Sequence, residues 1–160
     1  MSYDDLHEQW WANSRARVAE PRKLEPAASS AHQVGLLDTW IFIACESRRR
    51  LNTDLLPPDA AVSVVTIGEL ELGVLLAPDE VSRSQRLGTL NAAFQLQPTP
   101  VDDRVANAWA LLREQLRANG QRMEVNDSWI AATAMARGWA LVTQDAGFPD
   151  DIDGLTIVRA

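Results

Sequence analysis

The sequence contains few of the residues on which disulfide-bonded folds and histidine-dependent active sites rely. Its single cysteine, Cys45, excludes a disulfide framework and a zinc site built from several thiolates. Both histidines, His7 and His32, lie near the N-terminus, which argues against histidine-dependent chemistry in the rest of the chain. No apolar run approaches the roughly 18 residues of a membrane span, and the polar N-terminus lacks a signal-peptide core. We therefore expect a cytoplasmic protein with no membrane segment.

The chain is acidic, with a net charge of −7, and Lys23 is its only lysine. This charge disfavours a nonspecific nucleic-acid binder that relies on its overall field. A polyanionic partner would need local arginines or bound divalent cations.

The length of 160 residues predicts one domain. Residues 1–33 differ from the rest and read as a short amphipathic helix followed by a linker. Residues 34–160 alternate short apolar segments with helical patterns, which predicts an α/β fold with a parallel sheet. The predicted strands cover residues 34–37, 61–65, 140–144 and 156–158, and the predicted helices cover residues 40–50, 67–76, 80–94, 103–118 and 128–137.

Four acids end these strands or begin the neighbouring helices: Asp38, Glu69, Asp127 and Asp145. In a parallel α/β sheet these positions share the edge where ligands bind. A ten-residue helix from Ser128 covers about 15 Å, and five strand residues return about 16 Å, so Asp127 and Asp145 should meet.

Each acid also has a purely structural interpretation. Asp38 would cap its helix, Asn126 or Asp127 would cap another, Thr66 to Glu69 matches a capping box, and Asp145 suits an Asx turn. For any single acid, capping is the simpler interpretation. As a group, however, clustered carboxylates repel one another unless a cation is present, and oxygen ligands suit Mg²⁺ or Mn²⁺. Such an ion serves phosphodiester hydrolysis.

Four strings occur in order: LLDT at 36–39, TIGELELG at 66–73, NDSWIAATAMARG at 126–138 and LVTQDAGF at 141–148. Together they resemble the VapC-type toxins, PIN-domain ribonucleases of bacterial toxin–antitoxin pairs, over about residues 34–160. The resemblance implies a three-layer α/β/α fold with a mostly parallel sheet. It also implies Mg²⁺- or Mn²⁺-dependent cleavage of structured RNA, tRNA or rRNA, and as partners a VapB-type antitoxin and a second copy of the chain.

The resemblance also assigns roles to residues. Asp38, Glu69 and Asp127 would form the acidic triad, with Asp145 as the fourth acid, holding the metal directly or through water. Supporting polar neighbours would be Thr39, Asn126 and Thr143. Members of the family often have a further acid two residues after the fourth, where this chain has Gly147, so a second metal is less well supported.

Arginines and tryptophans supply candidate RNA contacts. Arg48, Arg49 and Arg50 end the first predicted helix, either as a phosphate-binding patch or as cations that favour a helix C-terminus. The tryptophans of the body adjoin apolar runs, which favours core or interface packing over base stacking. They are Trp40, Trp109, Trp129 and Trp139.

Residues 1–33 resemble the C-terminal segment of a VapB-type antitoxin. The residues that carry this resemblance are Trp10 and Trp11, followed by Arg15 and Arg17. The alternative is a disordered leader.

Two rival functions remain open from the sequence alone. One is a DNA-directed or flap-type nuclease that uses the same acids. The other is a catalytically silent binding module that retains the acids only as helix caps.

Overall fold

The computed structural model describes residues 33–160. Four strands lie within these residues: β1 (Val34–Leu37), β2 (Asp59–Ala61), β3 (Ala140–Thr143) and β4 (Thr156–Arg159). The α-helices of the same part of the chain are α1 (Thr39–Glu46), α2 (Val64–Leu75), α3 (Glu80–Phe94), α4 (Asp103–Ala118) and α5 (Val125–Arg137). A single 3₁₀ turn, Thr53–Leu55, precedes β2.

The strands form one parallel sheet in the order β2-β1-β3-β4. Strand β1 therefore lies between β2 and β3. The connection from β1 leads to β2 on one side, and the connection from β2 crosses to β3 on the other side. Open parallel sheets bind ligands at such a reversal, outside the carboxyl ends of the strands. Strands β1 and β3 pack closely, since a Cβ on Gly35 would lie 2.7 Å from Cγ2 of Val142.

The two faces of the sheet bury separate cores. Leu36 and Leu141 pack against α4 and α5, while Leu37 and Val142 pack against α1, α2 and α3. Because neighbouring strand residues point to opposite faces, each strand contributes to both cores. The predicted three-layer α/β/α architecture with a parallel sheet is confirmed.

Helix α2 begins three residues earlier than predicted. The predicted strand over residues 61–65 ends at Ala61, and Ser63 caps α2 by accepting a hydrogen bond from the Thr66 amide at 3.0 Å. The predicted capping box from Thr66 to Glu69 is therefore wrong. A serine inside an apolar run looks like a strand residue, but its hydroxyl satisfies an unpaired amide at the helix start.

Helix α1 ends four residues before the predicted boundary at Arg50. The Arg49 amide donates to the Ala44 carbonyl at 2.8 Å and the Arg48 amide donates to Cys45 at 3.3 Å, which is a Schellman motif. Arg48 takes its left-handed position with φ 52°. Glycine is the usual residue at this position, so an arginine here gives no sequence signal that the helix ends.

Helices α3 and α4 begin and end where the sequence predicts, and Asp102 caps α4 through the Val105 amide at 3.0 Å. Helix α5 begins at Val125, so Asn126 and Asp127 lie in its first turn and neither caps it. Gly138 ends α5 with φ 66°, as the predicted turn requires.

Trp10, Trp11, Arg15 and Arg17 lie outside the described residues. Within residues 33–160, no helix has the length and apolar composition needed to cross a bilayer.

Replacing Arg48 with glycine should raise the free energy of unfolding by about 0.5–1 kcal/mol. The change relieves the left-handed backbone cost of about 1–2 kcal/mol, and the extra freedom of glycine in the unfolded chain offsets about half of that gain. Chemical denaturation measures the difference. Arg50→Gly is the matched control and should destabilise, because Arg50 has no positive φ; a loss of stability in Arg48→Gly would contradict the account.

Candidate active site

Asp38 lies at the carboxyl end of β1, in the centre of the sheet, and is 1% exposed. Its Oδ2 accepts a hydrogen bond from the Thr143 hydroxyl at 2.7 Å, and its Oδ1 accepts from the Thr39 amide at 2.7 Å. The Asp38 amide donates to the Val142 carbonyl at 3.0 Å. Asp38 therefore caps α1, as its structural interpretation predicts, and is also bound across the sheet to β3.

Glu69 does not lie at a junction between strand and helix, as the sequence suggested, but in the second turn of α2. The Thr39 hydroxyl donates to its Oε2, and the Asn126 amide donates to its Oε1 at 2.9 Å. Both carboxylate oxygens are thus held, one from α1 and one from α5. The contacts place the carboxylate beside the end of β1.

Asp145 follows β3 and forms the predicted Asx turn, since its Oδ1 accepts from the Gly147 amide at 2.8 Å. Its own amide donates to the Thr143 hydroxyl at 2.9 Å. A Cβ at position 147 would lie 3.3 Å from Oδ1, so glycine leaves the room that this turn needs. The Arg159 guanidinium donates to the Asp145 carbonyl and thereby fixes the loop that follows β3.

These groups surround one open cavity of about 430 Å³. Its lining residues are Trp40, Glu69, Glu124, Val125, Asn126, Asp127 and Asp145, and Asp38 lies buried behind them. The pairing of Asp127 with Asp145 at one edge, predicted from the matching lengths of helix and strand, is confirmed.

Two of the acids have perturbed pKa values. Burial raises the pKa of Asp38 to about 6 against the opposing hydrogen bonds from Thr143 and Thr39, and the negative charges of Asp127 and Glu69 raise it further. Burial also raises the pKa of Asp127 to about 6, helped by the charges of Asp145 and Glu69. The negative charges of neighbouring acids therefore disfavour ionisation of Asp38 and Asp127, and a cation among them would lower these two pKa values.

The cavity presents oxygen donors to any metal ion. As the side chains stand, no three acidic, histidine or cysteine side chains of residues 33–160 form a set that could hold one ion. The acids therefore do not form a closed cage. Mg²⁺ keeps several waters and takes only one or two carboxylates, so an open carboxylate cavity suits it, whereas a closed thiolate or histidine set would suit zinc.

The other candidate residues lie around this cavity or away from it. Arg48, Arg49 and Arg50 are exposed beyond the end of α1, and the Arg49 guanidinium lies 5.7 Å from the centre of the Trp40 ring. Trp40 is not a core residue, since it is 40% exposed and lines the cavity; the core part of its predicted packing role is wrong, and interface packing stays a prediction. The sequence contained a signal for this position, since Trp40 follows Asp38 by two residues in the first turn of α1.

The remaining tryptophans of the described residues pack as predicted. Trp109 and Trp129 stack with ring centres 4.6 Å apart and an interplanar angle of 7°, and the Trp109 indole donates to Ser128 at 2.8 Å. Trp139 packs against the core beneath α4 and α5.

The sequence pattern of the PIN domain matches residues 35–151. The chain belongs to the PIN-domain family. Ribonuclease VapC5 of Mycobacterium tuberculosis is 45% identical over 131 residues, which cover 82% of this chain and 96% of that protein. Ribonuclease VapC4 of the same organism is 45% identical over 125 residues, which cover 76% and 95%.

A crystal structure of a member of the VapBC family of toxin-antitoxin systems, VapBC-5 from Mycobacterium tuberculosis, has the same fold. It matches with a TM-score of 0.74 and 41% identity, over 80% of this chain and 99% of that chain. The predicted membership of the VapC-type PIN-domain proteins is confirmed.

In metal-free solution, the Asp38→Asn variant should be more stable than the wild type at pH 7, and the difference should fade towards pH 4. The pKa of Asp38 is about 6 in the folded chain against an ordinary value of 3.8, so the folded state binds more protons between these values. Its stability therefore falls as the pH rises through this window. Thermal melting with a chelator present, between pH 4 and pH 8, measures the effect.

Asp79→Ala is the control of opposite sign. Hydrogen bonds from the Ser82 amide and hydroxyl lower the pKa of Asp79, so its contribution to stability is present at pH 7 and disappears only as the pH falls below about 3.8. An Asp38→Asn variant that is less stable than the wild type at pH 7, or equally stable at every pH, would show that the burial of Asp38 does not penalise its charge.

Proposed function

We propose that this chain is an endoribonuclease toxin that hydrolyses phosphodiester bonds in structured RNA, tRNA or rRNA, and requires Mg²⁺ or Mn²⁺. The observation that supports it is the cavity at the carboxyl ends of β1 and β3, where Glu69, Asp127 and Asp145 surround the buried Asp38. The names of the similar proteins VapC5 and VapC4 as ribonucleases support the same reaction.

Asp38, Glu69, Asp127 and Asp145 would hold the cation, directly or through water. When bound, it would neutralise charge on the phosphate oxygens and make water a better nucleophile for in-line attack, which leaves a 5′-phosphate and a 3′-hydroxyl. The chain itself orients the acids: Thr143 holds Asp38, and Thr39 and Asn126 hold Glu69. This fixed arrangement matters because misplaced carboxylates would have to reorganise before reaction.

Arg48, Arg49 and Arg50 are the proposed phosphate contacts. They are exposed, and the Gln144 side-chain amide donates to the Arg50 carbonyl at 2.7 Å, which ties this segment to the end of β3 beside the acids. Cations at this position would attract the backbone of an RNA that the acidic body otherwise repels.

We also propose two protein partners, a VapB-type antitoxin and a second copy of this chain. The similarity to VapBC-5 supports the first. Exposed apolar side chains at the end of α2 and the start of α3 support association with a protein surface. They are Leu72, Leu75, Leu76 and Val81, which are 54%, 68%, 68% and 79% exposed.

Asp38→Asn and Asp127→Asn should each lower RNA cleavage at least about 100-fold while the fold stays intact, because either change removes a charge from the proposed cation site. The assay incubates total RNA with Mg²⁺ or Mn²⁺ and maps the ends that form. Circular dichroism checks the fold, and a chelator should abolish the wild-type reaction.

Asp79→Asn is the matched control, since it makes the same chemical change at the cap of α3 and should cleave like the wild type. Cleavage that survives Asp38→Asn and the chelator would refute the assignment. Cleavage of DNA in preference to RNA would favour the DNA-directed rival. A silent module predicts no reaction at all from the wild type, so Asp38→Asn would change stability and nothing else.

A further inference from the structure

Trp40 places a large aromatic surface at the rim of a cavity otherwise dominated by carboxylates. It is 40% exposed and lines the cavity together with Glu69, Asp127 and Asp145. The other tryptophans of the described residues contribute to packing, as the stacked pair of Trp109 and Trp129 shows. Trp40 is therefore the one tryptophan among the described residues that an incoming ligand of the acidic cavity would meet.

Contacts at both ends of α1 fix the position of the Trp40 ring. At the start, the Asp38 cap and the bond from the Thr39 hydroxyl to Glu69 fix the first turn, which contains Trp40. At the end, the left-handed Arg48 turns the chain back, and the Arg49 guanidinium comes to lie 5.7 Å from the ring centre. A cation over the face of an indole is attracted to it, so the ring is supported in place.

The chemistry of the cavity indicates which ligand the ring would meet. The cavity is open and its volume of about 430 Å³ lies towards the small end of ligand pockets. RNA-binding proteins commonly stack unpaired bases on aromatic side chains, and stacking tolerates any base because every base has a π-face. The acids and the ring thus match the two halves of a nucleotide, the acids through a cation at the phosphate and the ring at the base.

We propose, as an extension of the proposed function, that Trp40 is a substrate-positioning residue that stacks on an unpaired base next to the scissile phosphate. The Arg49 guanidinium lies over one face of the ring, so the base would stack on the other. The base would be held by its face, so Trp40 would select for an unpaired nucleotide and not for base identity. A protein partner that covers Trp40 is the competing explanation. Val125 is the one exposed aliphatic side chain that lines the cavity beside Trp40, whereas the exposed leucines at the end of α2 lie outside it and the other neighbours of Trp40 in the cavity are mostly acids.

The test uses the full chain and a short single-stranded RNA that contains the mapped cleavage site, with two further versions that each lack the base on one side of the cut. Trp40→Ala should raise KM roughly tenfold and leave kcat within about twofold, because the loss of one stacked base weakens binding by about this factor. Trp40→Phe should retain most of the affinity. Phe94→Ala is the matched control, an aromatic residue of α3 that is 47% exposed and does not line the cavity.

The base-deleted RNAs separate stacking from other roles of Trp40. For the wild type, one of the two deletions should raise KM roughly tenfold, whereas for Trp40→Ala the same deletion should change KM less than twofold, because the stacking partner has already gone. Equal losses in both proteins, or an unchanged KM for Trp40→Ala, would overturn the inference. Weaker binding of an antitoxin or weaker self-association, with RNA kinetics unchanged, would assign Trp40 to a protein interface and would also overturn it.

These outcomes are distinct from a failure of the proposed function. If cleavage requires Asp38 but ignores Trp40, the ribonuclease assignment stands and the stacking role falls. If the wild type cleaves none of the RNAs, both fall.

Discussion

The hydrogen bond from the Thr143 hydroxyl to the Asp38 carboxylate determines how the site is arranged. It joins residues 105 positions apart at 2.7 Å, at the carboxyl ends of the two central strands. The same hydroxyl accepts from the Asp145 amide, so one side chain places two of the four acids. Because strand order brings β1 and β3 together, the topology of the sheet creates the site, and the threonine sets its geometry.

A second set of contacts brings the helices to this centre. Thr39 from α1 and Asn126 from α5 both donate to Glu69 on α2, so three helices converge on one carboxylate. The arrangement has an electrostatic cost, since burial and mutual repulsion raise the pKa of Asp38 and Asp127 to about 6. Native chains retain such unfavourable charges mainly where function requires them, and here a cation would offset the cost.

The sequence was most informative where a local signal and the global fold agree. Asp79 and Asp102 cap helices whose limits were predicted correctly, because each acid precedes a clear helical pattern. Prediction failed where a residue has an unusual structural role. Ser63 caps a helix inside an apolar run, and Arg48 occupies a left-handed position that glycine normally marks. The rim position of Trp40 depends on tertiary contacts, which hydrophobicity does not encode.

The central claim is that Asp127 in the cavity and Asp38 buried behind it form one negatively charged site that favours a bound cation, and carboxyl ¹³C NMR of the metal-free protein tests it most directly. Both carboxyl groups should titrate near pH 6, and added Mg²⁺ should shift both transitions to lower pH. The spectra follow the two side chains from pH 4 to pH 8 without and with Mg²⁺, and Asp79 serves as the internal reference that Mg²⁺ should leave unchanged. Titration of both groups near pH 4, indifferent to Mg²⁺, would contradict the account.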